Sequence, residues 1–290
     1  MHPKLPAAAL ALAAILASGC GAADRPADPA AGASSPPRAG VASGAVVPAG
    51  SQSSLASPSA SPSPSPPALP LAGRVVGIDP GHDGGNFSDP GYIDQLIWNG
   101  RESETCDTTG TETASGFTEA SFNFDVASYL RADLIAAGAT VVMTRQDNTG
   151  VGPCVTTRAQ IINTAHADVA IDIHADGGPT WGRGFTVLEP VADGPNDAVI
   201  SSSLQFGADV RSALLRDTPM PESNYYGTDG LMTRDDLAGL NLTTVPKVLV
   251  ECGNMPNPTD AGLLAGPAFQ QQVARAFTDA IMVFLTGQPG

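Results

Sequence analysis

Short apolar runs alternate along the chain with amphipathic stretches, and several of the runs stop abruptly on a polar residue. The first run, VVGI at 75–78, is β-branched and is closed at once by Asp79, Pro80 and Gly81. A buried strand that feeds a tight turn reads this way. A long polar loop is expected over 86–118. From Glu119 the period changes: Phe122, Val126, Tyr129, Leu130 and Leu134 recur at helical spacing, and Gly138 closes the segment. Further strands are predicted at 139–145, 168–176, 184–190 and 246–252. Further helices are predicted at 156–166, 202–215 and 269–285. Strand–helix alternation of this kind predicts an α/β fold. We expect a single domain with a twisted, mostly parallel sheet and helices on both faces.

The residues before this region follow a different pattern. Residues 1–20 combine a weakly basic start with an Ala/Leu-rich apolar middle too short to span a bilayer, as a signal peptide does. Small residues directly before Cys20 resemble a bacterial lipobox, in which Cys20 carries the lipid, although Ala17 stands where Leu is usual. The other reading is an ordinary cleaved signal. Residues 21–72 are rich in Ala, Pro, Ser and Gly and offer too little apolar surface for a core, so a disordered, extended linker is expected. The folded domain is then 73–290, long enough for one real core. Without Lys4, Arg25 and Arg38, and without Asp24 and Asp28, the 14 basic and 29 acidic residues fall to 11 and 27, a net charge near −16 for this domain. A field of that sign excludes nucleic acid as a natural partner.

Chemistry concentrates where the apolar runs stop. His82 follows the first strand, His174 ends the strand at 168–176, and Glu251 ends the strand at 246–252. These ends should meet at one edge of the sheet, where open α/β folds place ligands. Glu119 opens the long helix. Two imidazoles and one carboxylate with an open fourth position form a catalytic zinc arrangement. Zinc so held lowers the pKa of its water and polarises a carbonyl, and a second carboxylate takes the proton. Each residue also has an ordinary reading. His82 fits a turn, Glu119 suits a helix N-terminus, His174 fits a core, and Glu251 fits an ion pair with Arg145. Against this, the chain has four histidines, one in the signal region and two at strand ends. His166 reads as a surface or helix-end residue.

Four stretches in this order, VVGIDPGHDGG, GFTEASFNFD, AIDIHAD and VLVECGNMPNP, resemble the zinc-dependent N-acetylmuramoyl-L-alanine amidases of the Amidase_3 family, in its actinobacterial, mycobacterial-type form. The resemblance implies His82, Glu119 and His174 as zinc ligands and Glu251 as the catalytic carboxylate. It also implies a reaction, hydrolysis of the amide between N-acetylmuramic acid and L-alanine in peptidoglycan or muropeptides. Glu102, Glu104 and Glu112 lie in the preceding loop as other carboxylates for the third ligand position. No cell-wall-binding repeats are present, and no extra helix that might plug the site is expected between the last strands. Two other functions compete: an inactive cell-wall-binding module of the same fold, and a metal-dependent hydrolase of another amide.

The remaining residues carry weaker expectations. The segment Arg234 to Asn241 should line the cleft or form a solvated turn. Arg145 and Arg158 should make structural ion pairs, and Asp79 and Asp176 should accept from the ligand imidazoles. Cys252 reads as buried and free. In an exported chain Cys106 and Cys154 are then the natural disulfide. The cysteine spacing contains no C-x-x-C metal knuckle.

Overall fold

The computed structural model describes residues 68–288; the signal peptide, lipobox and most of the linker expected before the domain lie outside the described residues. A six-stranded sheet runs through the molecule. Its strands are β1 (Val75–Pro80), β4 (Thr140–Met143), β5 (Val169–Asp176), β6 (Thr186–Pro190), β7 (Leu231–Arg234) and β8 (Lys247–Asn254), in the order β4-β1-β5-β8-β6-β7. The first four strands in that order are parallel. β6 pairs antiparallel with β8, and β7 runs parallel to β6. The sheet is therefore mostly parallel, with its last two strands reversed.

The two faces are covered unequally. On one face lie α2 (Glu119–Ala136), α4 (Ile200–Asp217) and α7 (Pro267–Thr286). Phe122, Val126, Leu130 and Leu134 of α2 are fully buried against Val76 and Ile78 of β1 and Ile171 and Ile173 of β5. Each such side chain contributes roughly 1.5–3 kcal/mol. Thr118 caps α2, its hydroxyl accepting from the Ser121 backbone N–H at 3.3 Å. The helix run ends before Gly138, which adopts φ +97°. Among the described helices, the other face carries α3 (Val155–Thr164) and the one-turn α5 (Ala238–Asn241), over two small apolar clusters around Ile162 and Leu240.

Strand alternation decides what this thinner face carries. Val169, Ile171, Ile173 and Ala175 of β5 point into the main core, so Ala170, Asp172, His174 and Asp176 point the other way. Val248, Val250 and Cys252 of β8 do the same, leaving Lys247, Leu249 and Glu251 on the thin face.

The expected loop at 86–118 contains more structure than its sequence suggests. It holds a short helix α1 (Pro90–Ile93) and a hairpin of β2 (Leu96–Trp98) and β3 (Ser103–Thr105). A disulfide between Cys106 and Cys154 pins this loop to the start of α3, and the Val155 N–H donates to the Cys106 carbonyl at 2.8 Å. Cys252 is buried and free, as expected. A further short helix, α6 (Pro258–Leu264), follows β8. Between β7 and β8 lies the one-turn α5.

Candidate active site

The turn after β1 puts His82 in the left-handed region at φ 58°, a costly conformation for a non-glycine residue. This aims its ring at the N-terminus of α2 and the end of β5. His82 Nε2 lies 3.2 Å and His174 Nδ1 2.9 Å from the same oxygen, Glu119 Oε1. One donor atom from each of His82, Glu119 and His174 falls within 4.8 Å of the others. The two rings meet edge to face with centroids 4.9 Å apart. Glu119 is held from behind: Oε1 accepts from the Ala175 N–H at 3.2 Å and Oε2 from the Thr111 N–H at 3.0 Å. Two glycines leave room for the rings. A Cβ on Gly81 would overlap the His174 imidazole, and one on Gly110 would press on His82 and Glu119.

Glu251 stands beside His174 in the β5–β8 register. Its Oε2 is buried without a hydrogen-bond partner. Both residues line a cleft of about 290 Å³ with His82, Glu119, Asp176, Arg234 and Leu237, so the Arg234 segment does line the cleft. α5 leaves it open.

Beneath the cleft a ring of buried charges links the two imidazoles. His82 Nδ1 lies 3.3 Å from Asp107 Oδ1, and Asp107 Oδ2 is 3.2 Å from Arg158. Arg158 also reaches Asp79 Oδ1 at 3.2 Å. Lys247 Nζ bridges Asp79 Oδ2 at 2.7 Å and Asp172 Oδ2 at 3.3 Å. Asp172 Oδ1 closes the ring, 3.3 Å from His174 Nε2. With Glu119, four carboxylates face two cations in this connected set. Neutral imidazoles leave two negative charges, the complement of one divalent cation. Two imidazoles, a carboxylate and this balance fit zinc.

The titration behaviour agrees. Burial disfavours a charged His82, yet the Glu119 carboxylate and the bond to Asp107 outweigh it and push its pKa up to about 9. His174 is likewise raised well above the ordinary range; burial opposes this, and Asp172 and Glu119 overcome it. Glu119 is buried, but the two imidazoles hold its pKa well down. Burial drives Glu251 the other way, up to about 8, against the pull of His174 and with Glu119 and Asp176 adding to it. Metal-free, the two imidazoles thus keep protons where a cation would sit.

Some expected roles move to other residues. Asp79 touches neither imidazole; it accepts from Thr144 Oγ1 at 2.6 Å and faces Lys247 and Arg158. Asp176 accepts from Tyr225 Oη at 2.6 Å and from the Gly177 N–H. The imidazole partners are Asp107 and Asp172. Arg158 makes the expected ion pairs, whereas Arg145 donates to the carbonyls of Pro80, Gly81, Ala120 and Asp147 and to the Asn148 side chain. Glu251 therefore has no arginine partner there. Of the alternative carboxylates, Glu102 and Glu112 are exposed, and Glu104 accepts from the Ala238 N–H at 3.0 Å. His166 is exposed at the end of α3. Asp172 had a signal in the sequence: in VAIDIHAD it shares the period-two face with His174.

Two imidazoles and two carboxylates at the carboxyl edge of an open α/β sheet define a hydrolase-type site with a candidate metal centre. Residues 76–283 match the family model Amidase_3, described as N-acetylmuramoyl-L-alanine amidase, and the chain belongs to that family. It is 39% identical over 225 residues to N-acetylmuramoyl-L-alanine amidase Rv3717 of Mycobacterium tuberculosis, covering 75% of this chain and 89% of the relative. Among solved structures, it is similar to the N-acetylmuramyl-L-alanine amidase Ami1 of Mycobacterium smegmatis, with a TM-score of 0.71, 40% identity and coverage of 75% of this chain and 99% of that one. Ami1 of Mycobacterium abscessus gives a TM-score of 0.70 at 38% identity, over 74% of this chain and 100% of that one.

Proposed function

We propose that this enzyme is a zinc-dependent hydrolase that cleaves the amide between the lactyl group of N-acetylmuramic acid and L-alanine, in peptidoglycan or its muropeptide fragments. The carrying observation is the convergence of His82, Glu119 and His174 within 4.8 Å beside the unpartnered Glu251 Oε2. His82, Glu119 and His174 would hold the zinc, which when bound would supply Lewis acidity for the scissile carbonyl and lower the pKa of the attacking water. Glu251 takes the proton of that water and delivers it to the leaving alanine nitrogen. Burial lifts the Glu251 carboxyl above the ordinary carboxylate range, toward the working pH at which one group can both accept and return a proton. The presence of all four groups argues against an inactive binding module.

Location belongs to the same proposal. Residues 1–20 direct export, Cys20 carries a lipid, and 21–72 tether the catalytic domain (73–290) at the cell envelope. No described helix is long and apolar enough to cross a membrane.

Zinc content and turnover of four variants test the assignment. His82→Ala, His174→Ala and Glu119→Ala should each lose most of their zinc and their activity. Glu251→Gln should keep near one zinc per chain while turnover falls by roughly 10²–10⁴-fold. Full zinc in Glu119→Ala with loss of zinc in Glu251→Gln would reverse the two carboxylate roles.

A further inference from the structure

We infer that Asp172 is the positioning residue that sets the tautomer of His174, and that Lys247 makes this control directional. The inference rests on the reading of His82, Glu119 and His174 as a metal site. His174 presents Nδ1 to Glu119 at 2.9 Å and Nε2 to Asp172 at 3.3 Å. A neutral imidazole carries one hydrogen, and a metal needs a bare nitrogen. The hydrogen must therefore sit on Nε2, and Asp172 Oδ1 is the acceptor there. That oxygen is buried and makes no hydrogen bond in the metal-free arrangement; at 3.3 Å from Nε2 it is free to take this hydrogen.

Lys247 fixes which way the Asp172 side chain can serve. Its ammonium has three donors and no acceptor. It stands 3.3 Å from Asp172 Oδ2, with Asp79 on its other side. Whatever atom of residue 172 faces Lys247 must accept. A carboxylate accepts at both ends and satisfies Lys247 and His174 together. A carboxamide does not. Its one oxygen is claimed by Lys247, so its NH₂ faces His174 Nε2. That nitrogen must then offer a lone pair, and the hydrogen moves to Nδ1, the atom needed by the metal. Wrong-tautomer loss of this kind occurs when the buried aspartate of a catalytic triad becomes asparagine.

The partner imidazole lacks this sensitivity. His82 Nδ1 lies near Asp107 Oδ1 at 3.3 Å but also near the Thr108 carbonyl at 3.1 Å. A change at Asp107 leaves His82 a second acceptor. Asp172 is thus the single point at which one atom decides the form of a ligand.

The test is an inverted order of two variants. Zinc affinity is measured by chelator competition at pH 7.5 for wild type, Asp172→Ala and Asp172→Asn, with thermal melts of the zinc-free proteins to establish folding. Asp172→Ala removes the acceptor and should weaken zinc about 10-fold; Asp172→Asn should weaken it about 100-fold or more, at the upper end for groups that orient metal ligands. A merely structural role gives the opposite order, because asparagine keeps the volume and the Lys247 bond. Asparagine equal to or milder than alanine overturns the inference. Should either variant fail to fold, long-range ¹H–¹⁵N spectra of the zinc-loaded wild type decide. Hydrogen on His174 Nε2 with metal at Nδ1 supports the assignment, and the reverse overturns it. If wild type takes up no zinc, the metal-site reading itself falls; if it binds zinc and asparagine is tolerated, only the role of Asp172 falls.

Discussion

Glu251 costs the folded protein something before any substrate arrives. Its carboxyl titrates near 8 in the fold against 4.5 in the free side chain. The folded state then binds the extra proton, so stability is fully present below about pH 4.5 and is lost as pH rises through 8. Metal-stripped Glu251→Gln should therefore be more stable than stripped wild type at pH 9, by roughly 4–5 kcal/mol, and equal to it near pH 4. Denaturant unfolding at the two pH values checks this; equal stability at both would mean that the carboxyl is solvated. The imidazoles give a second pH signature. Both pKa values are raised, that of His82 to about 9, so zinc must displace protons. Apparent zinc affinity should climb by more than ~10-fold per pH unit between pH 6 and 8, and a flat profile in chelator competition would contradict it. Gly81 provides a steric probe of the same centre. Gly81→Ala should keep the fold but lose zinc by 10-fold or more, because the new methyl needs the space of the His174 ring.

At the scale of elements, the disulfide ties chemistry to architecture. Cys106 adjoins Asp107, which holds His82 and Arg158, and Cys154 starts α3, which carries Arg158. The bond spans 48 residues, so Cys106→Ser/Cys154→Ser should lower stability by about 4 kcal/mol and the melting temperature by ~10 °C. An unchanged melt would show that the loop is held by other contacts. The long helices and β1, β4, β5, β6 and β8 were legible in the sequence because each repeats its apolar period several times. β7 was not: LMTR is four residues long, and its place comes from pairing with β6. β2 and β3 are three-residue strands with Leu96 and Trp98 exposed, so no inward face marks them. In the site, His82, His174 and Glu251 were legible because each stops an apolar run. Lys247 was not, because a buried lysine makes sense only once Asp79 and Asp172 stand around it, and these come from two other strands. Asp107 sits in a loop whose position depends on the disulfide.

The whole domain separates support from chemistry. Three long helices bury one face of the sheet, while the thin face keeps the charge ring, the candidate ligand atoms and the open cleft. This arrangement lets strand alternation deliver buried charge to one side without disturbing the main core on the other. The proposed tether and anchor are tested on the full chain: Cys20→Ala should release the protein from the membrane fraction, and a wild type that is already soluble and carries no lipid mass would rule the anchor out. The proposed reaction cuts one bond, the amide between N-acetylmuramic acid and L-alanine. Purified peptidoglycan digested with the zinc-loaded protein and analysed by mass spectrometry should yield free stem peptides beginning with L-alanine, and glycan whose lactyl groups carry no peptide. Products in which peptide stays attached to N-acetylmuramic acid, with cleavage inside the stem or between sugars, would contradict it.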